Sequence, residues 1–299
     1  MAERLSFYDE IGRNKRNSIL LFFVVFALTV FLGYVIGMVY DPSLSLLFVV
    51  VAAVLAILQI VNSYYNGDKI VLLSTGAREA PYEKYRFLHN CVEGMAIAAG
   101  VPKPKIYVIE SKEMNAFATG RDPNHSSIAV TTGLLDNLNR QELEGVIGHE
   151  MSHVKNYDIR FALLVAVLVG LIAIVSNIFM RSMWFGGGRS DRDRGNGGAI
   201  LIIVGVVLAI VAPIIVRLVQ LAISRQREFL ADASGAELTR YPPGLAAALE
   251  KISKINKSDM PVSEAVSHLF FVDPVHTFID KLTSTHPPIQ ERIKRLKAM

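Results

Sequence analysis

Cysteine is almost missing from this chain: its 299 residues include one, Cys91. An internal disulfide is therefore excluded, and the count fits a reducing compartment, with Cys91 expected to pack within a helix. Charge is sparse as well. Charged residues make up 19% of the chain, and 31 basic against 27 acidic ones leave a net charge of only +4. Juxtamembrane Lys and Arg account for that excess, so no nucleic-acid partner is expected. Asp, Glu, Lys, Arg and His are all absent from Ile19 to Val39 and from Leu44 to Val61. That argues against a transport pathway for zinc, which needs ionisable groups inside its spans. No small-residue cleavage site follows the first apolar run, so it reads as a retained anchor rather than a removed signal peptide.

What the chain has in abundance is apolar residues, 52% of the total, with a mean hydropathy of +0.37. A helix needs about 20 residues to cross a hydrocarbon core. Four stretches reach or approach that length: Ile19 to Val39, Leu44 to Val61, Phe161 to Met180 and Ala199 to Val216. The first two form a hairpin joined by Tyr40-Asp41-Pro42-Ser43, with Arg13, Lys15, Arg16 and Lys69 flanking the other ends. The positive-inside rule places both flanks in the cytoplasm. The second pair is joined by a Gly-rich loop with Arg181, Arg189, Arg192 and Arg194, which pulls the other way, and Pro213 and Arg217 predict a kinked fourth stretch ending near an interface.

The remaining segments carry globular signals. Pro81 predicts a helix start that Gly100 closes. Lys105 to Glu110 alternates as a strand does, and Asn115 to Thr119 and Ser127 to Thr131 read as two more strands around a turn at Gly120 to Asn124. Asn139 followed by Glu142 is a capping-box start for the next helix.

That helix carries His149-Glu150-Met151-Ser152-His153. Four residues apart on a helix, the two imidazoles share one face and can bind one Zn²⁺, with Glu150 at the side of that face as general base. A catalytic zinc needs a third protein ligand. The extended pattern with a glycine and a third histidine downstream is missing, because Asn156 and Ile159 occupy those places. Glu228 is the candidate, with Asp232 one turn on to accept from the far nitrogen of a liganding histidine. His149 and Glu228 meet only if the second pair of apolar stretches both cross or both fail to cross, and either case preserves the site. An extended polypeptide is expected to add as a strand beside Asn115, Ala116, Phe117, Ala118 and Thr119. His89, His125, His268 and His276 have no partner at ligand spacing and receive no role.

HEMSH followed by Asn156, then SRQREFLADA from Ser224 to Ala233, then Thr285-His286-Pro287-Pro288 leading to Arg292, resembles the HtpX-like membrane peptidases, relatives of the CAAX prenyl proteases. The likeness extends to the amino-terminal hairpin and the paired segments NAFATG and IAVTTG. It implies zinc on His149, His153 and Glu228, with Glu150 as the catalytic carboxylate and Asn156 among the supporting residues. It also implies His286 and Arg292 as candidates for stabilising the oxyanion, and a role in degrading damaged or misassembled membrane proteins from the cytoplasmic face.

The fold expected is mainly α with a small β-sheet: a membrane protein with about four transmembrane or membrane-associated helices and a zincin catalytic domain of the gluzincin type. Its parts are a cytoplasmic segment 1–17, a transmembrane hairpin 18–61, a first catalytic portion 62–158, a second hydrophobic hairpin 159–223 and a second catalytic portion 224–299. The function expected is zinc-dependent endopeptidase, one Zn²⁺ per chain, acting on unfolded or membrane proteins in a lipid bilayer, the cell membrane. The competing reading is a non-catalytic chaperone or scaffold that keeps a structural zinc.

Overall fold

The computed structural model describes residues 7–170, 225–256, 260, 262–272 and 287–299. Two long helices, α1 (Phe7–Tyr40) and α2 (Ser45–Ser74), form a hairpin closed by a 3₁₀ turn over Pro42–Leu44. Asp41 caps that turn, its side chain accepting from the Ser43 N–H. Gly33 and Gly37 let the helices meet, since a Cβ at either would run into Ala52 or Phe48 of α2; small residues four apart are a common solution where lipid gives helices no hydrophobic drive to associate.

Both helices contain windows long and apolar enough to span a bilayer, Ile11–Val35 and Pro42–Ser74. Phe23, Leu46, Leu58 and Leu73 each leave more than half their surface uncovered. In water such a surface is a liability, whereas in hydrocarbon it costs nothing. Helix α2 runs on past Val61 to Ser74, further than the apolar run alone indicated. The second half of the third stretch and all of the fourth lie outside the described residues.

The soluble portion is a four-stranded sheet with helices on both faces. Its strands are β1 (Arg78–Glu79), β2 (Lys105–Ile109), β3 (Ala116–Asp122) and β4 (His125–Thr131), in the order β1-β2-β4-β3. Only the β2–β4 pairing is parallel. β3 is therefore an edge strand. The β3–β4 turn is tighter than the sequence suggested. Gly120, at φ +144°, lies so close to the His125 backbone that no side chain fits there, and the strands run on to Asp122 and from His125 across a bulge.

Helix α3 (Arg86–Ala99) begins later than Pro81, which opens a turn instead, with the Tyr85 N–H donating to the Pro81 carbonyl. Its end is as expected, with Gly100 left-handed at φ +68°. Cys91 is buried on this helix, and burial pushes its thiol up to about 12, with Glu144 adding to the effect. The thiolate that metals and oxidants require is thereby suppressed.

The short α4 (Thr132–Asn137) leads to α5 (Arg140–Lys155), which is the axis of the fold. Asn139 and Glu142 form the full capping box, side chain to backbone in both directions. Leu143, Val146, Ile147, Met151 and Val154 are fully buried in one core with β-strand residues Ala116, Ala118, Ile128 and Val130. On the sheet's other face, Phe117 and Ala129 pack with Val71 and Leu72 of α2 and with Leu163 and Ala166. These last two belong to a helix, α6, described over 158–170. Three further helices close around α5: α7 (Arg225–Thr239), α8 (Pro242–Ile255) and, after the one-turn α9 (Glu264–Ser267), α10 (Ile289–Lys297).

Candidate metal centre

Helix α7 crosses α5 at two glycines. A Cβ at Gly235 would lie 2.8 Å from the His149 backbone nitrogen, and one at Gly148 would lie 3.2 Å from the Gly235 carbonyl oxygen. Only backbone fits at that crossing, so the two helices touch without intervening side chains. Seven and three residues before Gly235, Glu228 and Asp232 then face the histidines from about two turns and one turn away.

His149 Nε2, His153 Nε2 and a Glu228 carboxylate oxygen converge. The two Nε2 atoms are 3.2 Å apart, and each lies 3.6 Å from a Glu228 oxygen. A tetrahedral Zn²⁺ with bonds of about 2.0–2.1 Å holds its ligand atoms about 3.3–3.4 Å apart. The three side chains thus fit a divalent ion.

The far ring nitrogens are held by carboxylates. His149 Nδ1 lies 2.9 Å from Asp232 Oδ1, and His153 Nδ1 lies 2.9 Å from Asp158 Oδ2. With each Nδ1–H donating, both Nε2 lone pairs turn toward the shared point and toward the Glu228 anion, a cluster that favours a cation. Burial lowers the His149 pKa to about 4, helped by the Arg292 charge. For His153 burial acts in the same direction, but the Asp158 hydrogen bond and the Glu228 charge outweigh it and raise the group to about 9. The two histidines are thus pushed in opposite directions, His149 down by burial and His153 up by the carboxylates around it.

Glu150 is buried beside the pair, and burial pushes its carboxyl up to about 7. It lines a small pocket of about 40 Å³ with Ala118, His149, His153, Glu228 and Phe271. Ala118 belongs to β3, whose outer edge borders that pocket. The Ala116 carbonyl already accepts from the Phe271 N–H at 2.8 Å, and the Asn115 side chain clamps Val272, donating to its carbonyl at 2.7 Å and accepting from its N–H at 3.1 Å. By strand alternation the Ala118 N–H and C=O point the same way as those of Ala116, toward the pocket, while Phe117 and Thr119 pair with β4.

Arg292 is fully buried. Its Nε and Nη2 donate to the two Asp232 oxygens at 2.8 and 2.7 Å, Nη1 donates to the Phe271 carbonyl at 3.0 Å, and Glu228 lies 3.9 Å away. Burial opposes the charge of Asp232, yet Arg292 and His149 hold its carboxyl well below the usual carboxylate range. Asn156 ends α5. Its amide contacts Ser152 Oγ at 3.3 Å rather than a liganding ring. His286 lies outside the described residues.

Sequence reasoning missed Asp158, the orienting carboxylate of the second histidine. The signal was available: a carboxylate five residues past His153, beyond a chain reversal at Tyr157 (φ +60°). Asn14 and Arg227, which bind Asp158 in turn, and Phe271, stacked edge-on against His149 at 4.8 Å, carried no local signal. His268, given no role, lines the same pocket.

Two imidazoles one turn apart, a carboxylate brought by a second helix and a buried glutamate beside them, on a helical fold with two membrane-length helices, define a metalloprotease. Residues 83–299 match the model of peptidase family M48. The chain is 47% identical over 295 residues to a protease HtpX homolog of Caldanaerobacter subterraneus subsp. tengcongensis, covering 98% of this chain and 97% of that protein. It is 41% identical over 296 residues to one of Streptococcus uberis, covering 98% and 99%. The crystal structure of S. mikatae Ste24p shares the fold at a TM-score of 0.52 and 21% identity, over 96% of this chain and 66% of that one, so the chain spans just under two thirds of Ste24p. The chain belongs to peptidase family M48, among the HtpX proteases.

Proposed function

We propose that this metalloprotease is a zinc-dependent endopeptidase that cuts extended segments of misfolded or damaged membrane proteins at the cytoplasmic face of the cell membrane. One observation carries the reading: three ligand atoms converge within 4.8 Å of one another in a buried pocket that also holds a glutamate. In this reading residues 62–158 and 224–299 form one catalytic domain interrupted by a second membrane hairpin at 159–223.

One zinc per chain, held by His149, His153 and Glu228, would polarise the scissile carbonyl and acidify a water to near neutrality. Glu150 takes that water's proton as its oxygen bonds to the carbonyl carbon, then passes the proton to the amine nitrogen as the C–N bond breaks. A carboxyl near 7 suits a group that serves first as base and then as acid. Ala118, whose N–H hydrogen-bonds the Glu150 carboxylate, presents its C=O to an extended substrate strand, with Asn115 and Ala116 bracing the 271–272 segment beside it. Arg292 acts by holding Asp232, and so His149, in place, leaving His286 as the candidate oxyanion donor.

Purified chain in detergent should cleave an unfolded protein, lose that activity to a chelator and regain it with zinc. In sealed vesicles, cleavage of an added substrate should occur with the inverted orientation only. Equal activity in right-side-out vesicles would overturn the cytoplasmic assignment, and activity indifferent to chelator the metal.

Zinc must also displace the proton on His153. Because that group's folded pKa is raised to about 9, zinc affinity should rise with pH up to that value, by about tenfold per unit. Competition against a chromophoric chelator between pH 6.5 and 8.5, which brackets neutrality, checks the sign. A flat profile would mean that His153 is already neutral.

A further inference from the structure

Helix α1 does more than anchor the chain. Near its start, Asn14 is only 1% exposed and reaches across to the segment that follows the metal-binding helix. Its amide nitrogen donates to Asp158 Oδ1 at 2.6 Å and to the Asn156 carbonyl at 3.1 Å, and its oxygen accepts from Arg227 Nη1 at 3.0 Å. Arg227 in turn lies 3.4 Å from the same Asp158 oxygen. The other Asp158 oxygen is the one that meets His153 Nδ1.

We infer that Asn14 is a positioning residue of the metal centre: through Asp158 it fixes the orientation of His153, and so makes the first membrane helix a part of the zinc site. The proposal rests on the zinc reading above.

The chemistry of the position supports this. An amide supplies two donors and an acceptor together, and here both functions are used, toward a carboxylate and a carbonyl on one side and a guanidinium on the other. Aspartate has the same shape but would set a second carboxylate against Asp158. Leucine could fill the space and satisfy none of the three partners, leaving Asp158 Oδ1 to the longer Arg227 contact at 3.4 Å. Asp158 also needs such a partner for its own sake. It has two oxygens to place, and without Asn14 its Oδ1 is held only by the longer Arg227 contact at 3.4 Å, so the oxygen that meets His153 Nδ1 is fixed less firmly. Outer-shell partners of metal-binding histidines commonly affect metal affinity by about 10- to 100-fold. Asn14 acts one bond further out, so an effect at the low end of that range is expected.

Ordinary helix packing must be separated from this wiring. Leu21, two turns along the same helix, is equally buried and packs on Phe161, Leu164 and Val165 without a polar link to the site. Leu21→Ala therefore loosens α1 while leaving Asp158 untouched.

The test is zinc affinity, measured on the full detergent-solubilised chain by competition with a chromophoric chelator. Wild type, Asn14→Ala, Asn14→Asp, Leu21→Ala, Asp158→Asn, the double variant Asn14→Ala/Asp158→Asn and Glu228→Ala are compared. Asn14→Ala should lower affinity about tenfold, the low end of the outer-shell range, Asn14→Asp at least as much, and Leu21→Ala not measurably. Adding Asn14→Ala to Asp158→Asn should cost little more than Asp158→Asn alone, since the two act along one path. Wild-type affinity in Asn14→Ala, an equal loss in Leu21→Ala, or fully additive losses in the double variant would each overturn the proposal. If Asn14→Ala does not fold, Asn14→Asp and the Asp158→Asn background carry the same comparison. A wild type whose zinc is unaffected by Glu228→Ala would instead refute the assigned ligand set, a different failure from normal zinc binding that ignores Asn14.

Discussion

Glu150→Gln is expected to bind zinc as the wild type does and to lose cleavage by about 10²- to 10⁴-fold, the range that a positioned acid–base group contributes. The substitution keeps the size of the side chain and places a neutral amide where a buried carboxyl sits with its pKa pushed up to about 7. Removing a charge that burial already disfavours should cost no stability, and the variant should melt at or above the wild-type temperature. Zinc content, melting temperature and turnover of an unfolded substrate, measured on one preparation, separate chemistry from folding. Undiminished turnover with zinc bound would remove Glu150 from the reaction and leave a chaperone or scaffold as the better account.

Arg292→Met should be nearly as damaging by a different route. It strands Asp232, which is 2% exposed, without its guanidinium, and breaking a buried pair by removing one partner costs about 3–5 kcal/mol. Asp232→Asn added to Arg292→Met should recover most of that loss, because the uncompensated charge is gone. Zinc affinity should stay low in both variants, since His149 no longer donates to a fixed carboxylate.

The pH dependence separates the variants further. In the wild type the folded pKa of Asp232 is depressed, so its contribution to stability is fully present above the unfolded carboxylate range and is lost as pH falls through the folded value. In Arg292→Met burial dominates, the folded pKa moves above the unfolded one, and acidification should relieve the variant rather than harm it. Thermal melts of the zinc-free proteins from pH 7 to pH 5, above and then approaching the carboxylate range, check the sign. Parallel losses in the two proteins would mean that Asp232 is not the group responsible.

The metal centre was more legible in the sequence than the rest of the fold because most of it is local. His149 and His153 need only a helix, and the capping box at Asn139 announces one. Glu228 and Asp232 could be assigned because a zinc pair lacks a ligand and a second helix offers a carboxylate with a supporting one a turn later. Asp158 stood within reach of His153 in the sequence, but its role, like that of Asn14, rests on a left-handed reversal at Tyr157 and on the docking of α1, both set by tertiary packing. Arg292 was singled out only through resemblance, and its grip on Asp232 needed coordinates. The same division holds for the fold. The Gly100 helix stop and the strand alternation follow from backbone preference. The helix start at Arg86 rather than Pro81 reflects competition between two local hydrogen-bonding schemes that the residues alone do not resolve.

The order of the parts along the chain has a consequence for synthesis. The histidine pair emerges from the ribosome first, its carboxylate ligand follows beyond an apolar insertion, and the guanidinium that steadies the cluster comes on α10. Until α10 docks, Asp232 has His149 but lacks its guanidinium partner. In that order the ligand set exists before the guanidinium that holds Asp232, and with it His149, in place.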